Sequence, residues 1–231
     1  MENEYTSNNE QSIISIQNFS FAFNKNREIL KKINLQIKKG EWIGICGPSG
    51  EGKTTLIRLI NGSLFSDEKI CYSGSIKVMG KNVKEFDNLN RTIATVYQNP
   101  DNQIIFTNVV DEIVFGMENF NSSKGKMEER VQQVMNRLNI KHLCDRNPNY
   151  LSGGEKQLVV LASVLCLDIA VLVLDEAFSY VDLDRKNLIL AYLKELNQQG
   201  VTIIMIDHMI EHFKMVDRIY TLNNGIILEG A

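Results

Sequence analysis

The residue types and spacing of segment 47–54 are suited to holding a polyphosphate. The segment reads Gly-Pro-Ser-Gly-Glu-Gly-Lys-Thr and fills the pattern G-x-x-x-x-G-K-[ST]. Its three glycines, Gly47, Gly50 and Gly52, let the backbone turn so that successive N–H groups point inward, at the positive end of a helix predicted to begin near Lys53. We therefore expect this loop to be an anion cradle.

Side chains of the same loop supply the other contacts that ATP and Mg²⁺ need. Lys53 is expected to reach the terminal phosphates as a compact positive charge, and the Thr54 hydroxyl is expected to bind Mg²⁺. Ser49 and Thr55 are assigned to nucleotide binding with them. The apolar run 42–46 predicts a strand before the loop, and apolar residues at helical spacing follow it. This strand-to-helix context favours a phosphate loop over an unspecialised glycine-rich turn.

A pair of acidic residues, Asp175 and Glu176, closes the apolar run 169–174. Such a run predicts a buried strand, and α/β sheets bind ligands at the carboxyl ends of their strands. Asp175 is expected to hold Mg²⁺, directly or through water, and Glu176 to orient and polarise the water that attacks the γ-phosphate. In isolation the pair could simply cap the next helix, but together with a phosphate loop the catalytic interpretation is favoured.

The composition is that of one globular domain with a subdomain. The chain has 231 residues, of which 44% are hydrophobic, so it can bury a substantial core. Its 25 basic and 28 acidic side chains give a net charge of −3, which disfavours nucleic acid as a partner without excluding it.

Cysteine spacing and hydropathy bear on the compartment. The four cysteines form no C-x-x-C pair and are predicted to be reduced structural thiols, which indicates a cytosolic setting. No apolar stretch is long enough to span a membrane. Residues 1–11 are polar, unlike a secretory signal, and are expected to form a flexible arm.

Strand-like runs predict two sheets. The runs 13–23, 29–37 and 72–79 alternate in polarity and predict an antiparallel sheet near the nucleotide. Four further runs are apolar and rich in β-branched residues, as parallel strands covered on both faces must be. These are 42–46, 93–97, 169–174 and 201–206.

Helical periodicity begins after Gln98. One apolar stripe in region 98–151 is predicted to face the core rather than a partner, and consists of Met127, Val131, Val134, Met135 and Leu138. A second helix is predicted around Leu193, with Asp182 or Asp184 as its cap and Gly200 as its stop. We predict an α/β P-loop NTPase domain over 12–231, with a mainly parallel sheet core, an antiparallel β subdomain and an inserted helical subdomain at about 98–151.

Segment 151–155, Leu-Ser-Gly-Gly-Glu, resembles the signature of the ATP-binding cassette (ABC) family, and the resemblance extends from Ile13 almost to the end of the chain. It implies ATP hydrolysis by a head-to-tail dimer with nucleotide at the interface. Ser152 and Gly154, with Gly153 in the same nucleotide-binding set, are then expected to meet the γ-phosphate held by a second cassette, at the amino end of the signature helix. Ser152 is also expected to cap that helix.

The resemblance assigns two further nucleotide contacts. Gln98 is expected to bind nucleotide and Mg²⁺ and to sense a transmembrane partner. Phe23 is expected to stack on adenine, although Phe19 and Phe21 lie close by and aromatic strand residues usually pack in cores.

The same resemblance completes the predicted catalytic set. His208 follows the run 201–206 where the family has its switch histidine, which contacts the γ-phosphate and helps to hold the water. With Glu176 and Lys53 it forms the expected catalytic group. Segment 179–182, Ser-Tyr-Val-Asp, occupies the place of the loop that crosses to the opposite cassette.

Segment 97–103 (Tyr-Gln-Asn-Pro-Asp-Asn-Gln) and segment 111–116 (Asp-Glu-Ile-Val-Phe-Gly) resemble the energy-coupling factor (ECF-type) importer ATPases, which drive vitamin or transition-metal uptake in prokaryotes. The resemblance implies three partners: a second ABC ATPase cassette, a transmembrane coupling subunit and a substrate-binding membrane subunit. It implies a peripheral location on the cytoplasmic face of the membrane. Asp101 and Asp111 are expected to pair with basic residues of a coupling helix.

Four residues depart from the family pattern and are expected to weaken nucleotide affinity, namely Glu51, Leu158, Ser163 and Asp207. None of them removes Lys53, Asp175, Glu176 or His208, so real but slow hydrolysis is expected. Because the sequence stops at Ala231, where many importer ATPases continue into a dimerisation region, stable self-association is not expected.

Two alternatives stay open. One is a soluble ABC ATPase of DNA repair or translation, disfavoured by the lack of long coiled-coil insertions, zinc-binding modules or tandem cassettes. The other is a non-hydrolysing regulatory cassette, which the glutamate and histidine above disfavour.

Overall fold

The computed structural model describes residues 12–24, 27–66, 69–208 and 210–230. The predicted flexible arm, 1–11, lies outside the described residues. Within them the chain forms ten strands: β1 (Ser12–Ala22), β2 (Glu28–Lys38), β3 (Trp42–Cys46), β4 (Cys71–Val78), β5 (Lys81–Asn82), β6 (Ile93–Val96), β7 (Val171–Asp175), β8 (Thr202–Ile206), β9 (Arg218–Asn223) and β10 (Ile226–Glu229). Six α-helices accompany them in the same described part: α1 (Lys53–Ile60), α2 (Leu89–Thr92), α3 (Val109–Asn119), α4 (Lys124–Arg137), α5 (Gly153–Leu165) and α6 (Leu183–Gln198).

The larger sheet has the order β10-β9-β3-β8-β7-β6, in which all neighbours are parallel except β10 and β9. The four predicted parallel strands are all present. Every residue of β3, β7 and β8 is buried, as the continuous apolar runs required. Because β8 lies between β3 and β7, the loops that follow these three strands meet at one edge of the sheet.

The smaller sheet is antiparallel, with the order β2-β1-β4-β5, and contains the three strands predicted for it. Its inner residues pack with α1 against one face of the larger sheet. Side chains of β3, β7 and β8 alternate between this core and a second core on the opposite face, which α3 to α6 cover. The parallel sheet is therefore the wall between two hydrophobic cores, and it fixes the positions of its strand ends.

The helical region agrees with its sequence pattern in most details. In and just after α4, Val131, Val134, Met135 and Leu138 are buried, whereas Met127 is only partly so. Met127 instead lines an apolar groove of about 540 Å³ between α3 and α4. The predicted α/β fold is confirmed, with the helical region inserted between β6 and β7.

Of the two predicted cap residues, Asp182 and not Asp184 caps helix α6. The Asp182 carboxylate accepts a hydrogen bond from the backbone N–H of Arg185 at 3.0 Å. Gly200 follows the end of the helix with a φ of 97°, as expected for a stop.

Candidate nucleotide-binding site

The loop between β3 and α1 leaves the first N–H groups of the helix available to an anion. Gly47, Gly50 and Gly52 have φ values of 142°, 82° and 98°, in the region that favours glycine. Gly52 is the N-cap of α1, and no side chain caps the helix there. A Cβ atom on Gly47 would lie 2.0 Å from the carbonyl oxygen of Leu222 in β9, so a larger residue does not fit. The loop thus has the form of an anion cradle.

Two side chains from the first turn of α1 are held against this loop. Lys53 is only 5% exposed, and its Nζ donates to the carbonyl oxygens of Gly47 at 2.7 Å and Pro48 at 2.9 Å. The Thr54 hydroxyl donates to Oδ2 of Asp175 at 2.8 Å. The phosphate loop and the acidic strand end are therefore joined directly. Ser49 lies within the loop and Thr55 within α1, and their assignment to nucleotide binding stays a prediction.

Asp175 is the buried centre of the site. It is 3% exposed at the end of β7, and this burial raises the pKa of its carboxyl group. The charge of Glu176 also raises this pKa, whereas the Thr54 hydrogen bond and the charges of Lys53 and His208 lower it. A buried carboxylate beside a hydroxyl is a set of oxygen donors that fits Mg²⁺. The cation would compensate the negative charge that burial disfavours.

Glu176 and His208 form a close pair beside Asp175. Oε1 of Glu176 lies 2.7 Å from Nε2 of His208, and the glutamate side chain is 14% exposed against 43% for the histidine. Glu176 has a φ of 51°, which is uncommon for a residue other than glycine, and its backbone N–H donates to the carbonyl oxygen of Ile206 at 3.1 Å. This turn places the carboxylate at the mouth of the site, next to the histidine that follows β8.

The structure therefore brings together side chains that the sequence places far apart. Lys53, Thr54, Glu176 and His208 all interact with Asp175. They come from the ends of β3, β7 and β8, which the strand order makes adjacent.

Three of the residues that depart from the family pattern make contacts within this chain or are buried in its core. The Glu51 carboxylate accepts a hydrogen bond from the backbone N–H of Asn224 in the β9–β10 turn. Oδ2 of Asp207 lies 2.6 Å from Nδ1 of His212. Leu158 is 1% exposed in the core beneath α5. These contacts give each departure a structural role, and their expected effect on nucleotide affinity stays a prediction.

The structure distinguishes among the three aromatic residues near the end of β1. Phe19 and Phe21 are each 1% exposed and belong to the core. Phe23 is 46% exposed, and the centres of its ring and that of Phe21 are 5.0 Å apart in an edge-to-face contact. Of the three rings, that of Phe23 is therefore the one that can offer a face to a base.

The signature begins α5 with a reciprocal cap. The Ser152 hydroxyl accepts a hydrogen bond from the backbone N–H of Glu155 at 3.3 Å, and the Glu155 carboxylate accepts from the backbone N–H of Ser152 at 2.9 Å. Hydrogen bonds from Ser152 lower the pKa of Glu155. A Cβ atom on Gly154 would lie 2.7 Å from the carbonyl oxygen of Tyr180, and Gly153 faces the ring of the same tyrosine. The signature thus packs against segment 179–182.

The signature and the exposed Gln98 do not join the cluster around Asp175. Among the described residues, no hydrogen bond links Ser152, Gly153 or Gly154 to the phosphate loop. Gln98 is exposed just beyond β6, the neighbour of β7. Gln157 and Asn61, which contact the residue before Gln98, were not predicted. A polar residue within the apolar run of α5 was the available signal for Gln157.

An α/β domain that carries a phosphate loop and, on a separate helix, an ABC signature belongs to the class of ATP-binding cassettes. The family model described as ABC transporter matches residues 30–179. The chain belongs to the ABC transporter family, and the protein is an ATPase.

Relatives and solved structures agree on this family. The energy-coupling factor transporter ATP-binding protein EcfA1 of Fusobacterium nucleatum is 38% identical over 218 residues, covering 93% of this chain and 80% of the relative. The protein of the same name from Bacillus licheniformis is 36% identical over 222 residues, covering 94% of this chain and 77% of the relative. The structure of cbiO1 from Clostridium perfringens, described as part of the ABC transporter complex cbiONQ, matches with a TM-score of 0.81 at 31% identity and covers 96% of this chain and 89% of that one. The predicted family and fold are confirmed.

No helix in the described part of the chain combines the length and the hydrophobicity that a membrane crossing requires.

Proposed function

We propose that this chain is the ATP-hydrolysing motor subunit of an ECF-type importer. In this proposal two cassettes close head to tail on ATP and Mg²⁺, hydrolysis reopens them, and membrane subunits convert the movement into solute uptake. The observation that carries the proposal is the cluster at the buried Asp175, which accepts a hydrogen bond from Thr54 and is influenced by the charges of Lys53, Glu176 and His208. The names of the two bacterial relatives support the importer branch.

Each residue of the cluster has a distinct role in the proposed reaction. Glu176 orients and deprotonates the attacking water, and its 2.7 Å contact with His208 keeps the carboxylate aimed at the mouth of the site. His208 contacts the γ-phosphate. Lys53 and the open N-terminus of α1 hold the terminal phosphates. Thr54 and Asp175 would hold Mg²⁺, and Gln98, which lies outside this cluster in the structure, would add a further oxygen ligand. The cation would neutralise charge on the phosphates.

The second half of the site is contributed across the dimer. Ser152, Gly153 and Gly154 at the amino end of α5 contact the γ-phosphate held by the opposite cassette. Their packing against Tyr180 of segment 179–182 supports a shared surface, because both segments are expected at the interface. Tyr180 itself is 53% exposed, so it can contact the opposite cassette.

A transmembrane coupling subunit is proposed to dock on the region after Gln98. Ile105 is 71% exposed there, and the rings of Phe106 and Phe115 lie 5.0 Å apart on the same region. The exposed Asp111 adds a negative charge that can pair with a basic helix. A substrate-binding membrane subunit completes the proposed complex, with the cassettes at the cytoplasmic face. The cbiONQ complex named for the related structure supports such an assembly.

Reversing the charge of Asp111 tests this docking surface. Asp111→Arg is expected to lower recovery of the transmembrane subunit with the tagged chain from membranes by about tenfold or more, because an attractive contact becomes repulsive. Asp101→Arg is expected to act in the same direction, but it also breaks the 2.6 Å ion pair with Lys156, so it is the less specific variant. Glu85→Arg makes the same charge change on an exposed residue outside the helical region and is the control. Equal recovery with Asp111→Arg and Glu85→Arg contradicts the placement.

Removing the exposed ring tests the adenine contact. Phe23→Ala is expected to weaken the binding of both ATP and ADP by about fivefold to 150-fold in titration calorimetry, since stacking of a base on an aromatic ring contributes about 1–3 kcal/mol. Phe115→Ala removes another exposed ring, 38% accessible, and is expected to leave both affinities unchanged. If the two variants bind nucleotide equally well, Phe23 has no stacking role.

A further inference from the structure

Tyr97, the residue before Gln98, is held by three polar side chains from different parts of the fold. Its backbone N–H donates to Oε1 of Gln103 at 2.7 Å, and its carbonyl oxygen accepts from Nε2 of Gln157 at 3.3 Å. Its hydroxyl accepts from Nδ2 of Asn61 at 2.9 Å. Asn61 ends α1, which begins at the phosphate loop, and Gln157 lies in α5, which begins at the signature. Tyr97 is therefore joined to both helices.

A second link joins α5 to the same loop. Nζ of Lys156 lies 2.6 Å from Oδ1 of Asp101, and their side chains are 18% and 63% exposed. Asp101 belongs to the 3₁₀ helix Pro100–Asn102. Two consecutive residues of α5 thus hold both the start and the middle of segment 97–103.

Stability of the fold does not explain a glutamine at position 157. Gln157 is fully buried among apolar neighbours of α5, and its Oε1 has no hydrogen-bond partner within the described residues. A buried oxygen without a partner destabilises the folded state, and an aliphatic side chain of similar size would avoid that loss. A residue that lowers the stability of the folded state is found most often where function requires it.

We propose that Lys156 and Gln157 are positioning residues that couple the Gln98 segment to the signature helix. The inference rests on the proposed function, in which Gln98 serves the nucleotide bound by this chain and Ser152 serves the nucleotide of the opposite cassette. A shift of segment 97–103, such as a docked partner would impose, then moves α5 and so changes both nucleotide contacts together. The links act through Tyr97 and Asp101, and neither Lys156 nor Gln157 contacts the nucleotide.

Charge exchange across the Lys156–Asp101 pair tests the outer link. Asp101→Lys and Lys156→Asp are each expected to lower kcat for ATP hydrolysis by the purified full chain at least about fivefold, with KM for ATP and the nucleotide Kd unchanged. The double variant restores opposite charges and is expected to return kcat to within about twofold of wild type. Because the Asp101 end of the pair is open to solvent, the ion pair is expected to contribute about 1 kcal/mol or less to stability, so melting temperatures should stay within about 3 °C of wild type. Single variants with wild-type kcat, or a double variant no better than the singles, overturn the inference.

Gln157→Leu tests the buried link by a different readout. We expect kcat to fall at least about fivefold while the melting temperature stays within about 3 °C of wild type, because the variant removes the unpartnered oxygen but also removes the donor to the Tyr97 carbonyl, and these two effects oppose each other. Ser163→Ala, which removes a hydroxyl that bonds the Val160 carbonyl on the same helix, is the control and should keep wild-type kcat. A parallel loss of kcat and melting temperature, or no loss of kcat, overturns the coupling role. A wild-type chain that binds no nucleotide overturns the proposed function itself, and is distinguished by that binding assay.

Discussion

Glu176→Gln is expected to retain ATP binding while lowering the rate of phosphate release at least about 100-fold. In the wild-type chain, Oε1 of Glu176 lies 2.7 Å from Nε2 of His208. The amide oxygen of a glutamine can make the same contact, so the shape of the site should persist. It cannot accept the proton of the attacking water. Because hydrolysis is the step that reopens the proposed dimer, the variant should accumulate as a closed dimer in the presence of ATP and Mg²⁺.

Three measurements on the same samples separate the possible results. Calorimetry gives the nucleotide affinity, phosphate release gives the turnover, and size-exclusion chromatography with ATP gives the dimer fraction. Glu85→Gln makes the same chemical change on an exposed residue and should behave as wild type. A wild-type turnover no higher than that of Glu176→Gln favours instead the alternative in which the chain is the non-hydrolysing half of a dimer.

Lys53→Ala is expected to lower the affinity for ATP at least about 100-fold, because it removes the buried positive charge that is proposed to contact the terminal phosphates. The loss should be smaller for AMP, which lacks the phosphates that the lysine is proposed to reach. Lys53 also donates to the carbonyl oxygens of Gly47 and Pro48, so the loop itself could loosen in the variant. The melting temperature therefore has to be compared with that of wild type in the absence of nucleotide.

A lysine elsewhere provides the matched control for this charge change. Lys77 is exposed on β4, and Lys77→Ala should keep wild-type affinity for ATP, which rules out an effect of net charge alone. An affinity of Lys53→Ala within about threefold of wild type contradicts the phosphate-binding role of the lysine.

Local sequence pattern determined most of the architecture. Continuous apolar runs predicted β3, β6, β7 and β8, since strands covered on both faces must be apolar throughout. Strand β9 was not predicted, because Arg218–Asn223 is short and mixes charged and polar residues with apolar ones, so it lacks the continuous apolar run that identified the other parallel strands. The phosphate loop and the acidic pair were also recognisable in the sequence, since each is a short motif made of neighbouring residues.

Tertiary structure decided the questions that depend on contacts between distant segments. Only the packing of β1 shows that Phe23, rather than Phe19 or Phe21, is exposed. The pairing of Asp101 with Lys156 and of Tyr97 with Gln157 joins residues 55 and 60 positions apart. No local pattern specifies such pairs, because they follow from the strand order and from the way α5 lies against the loop after β6. The sequence thus determined which residues can act on a nucleotide, and the fold decided which of them hold one another in place.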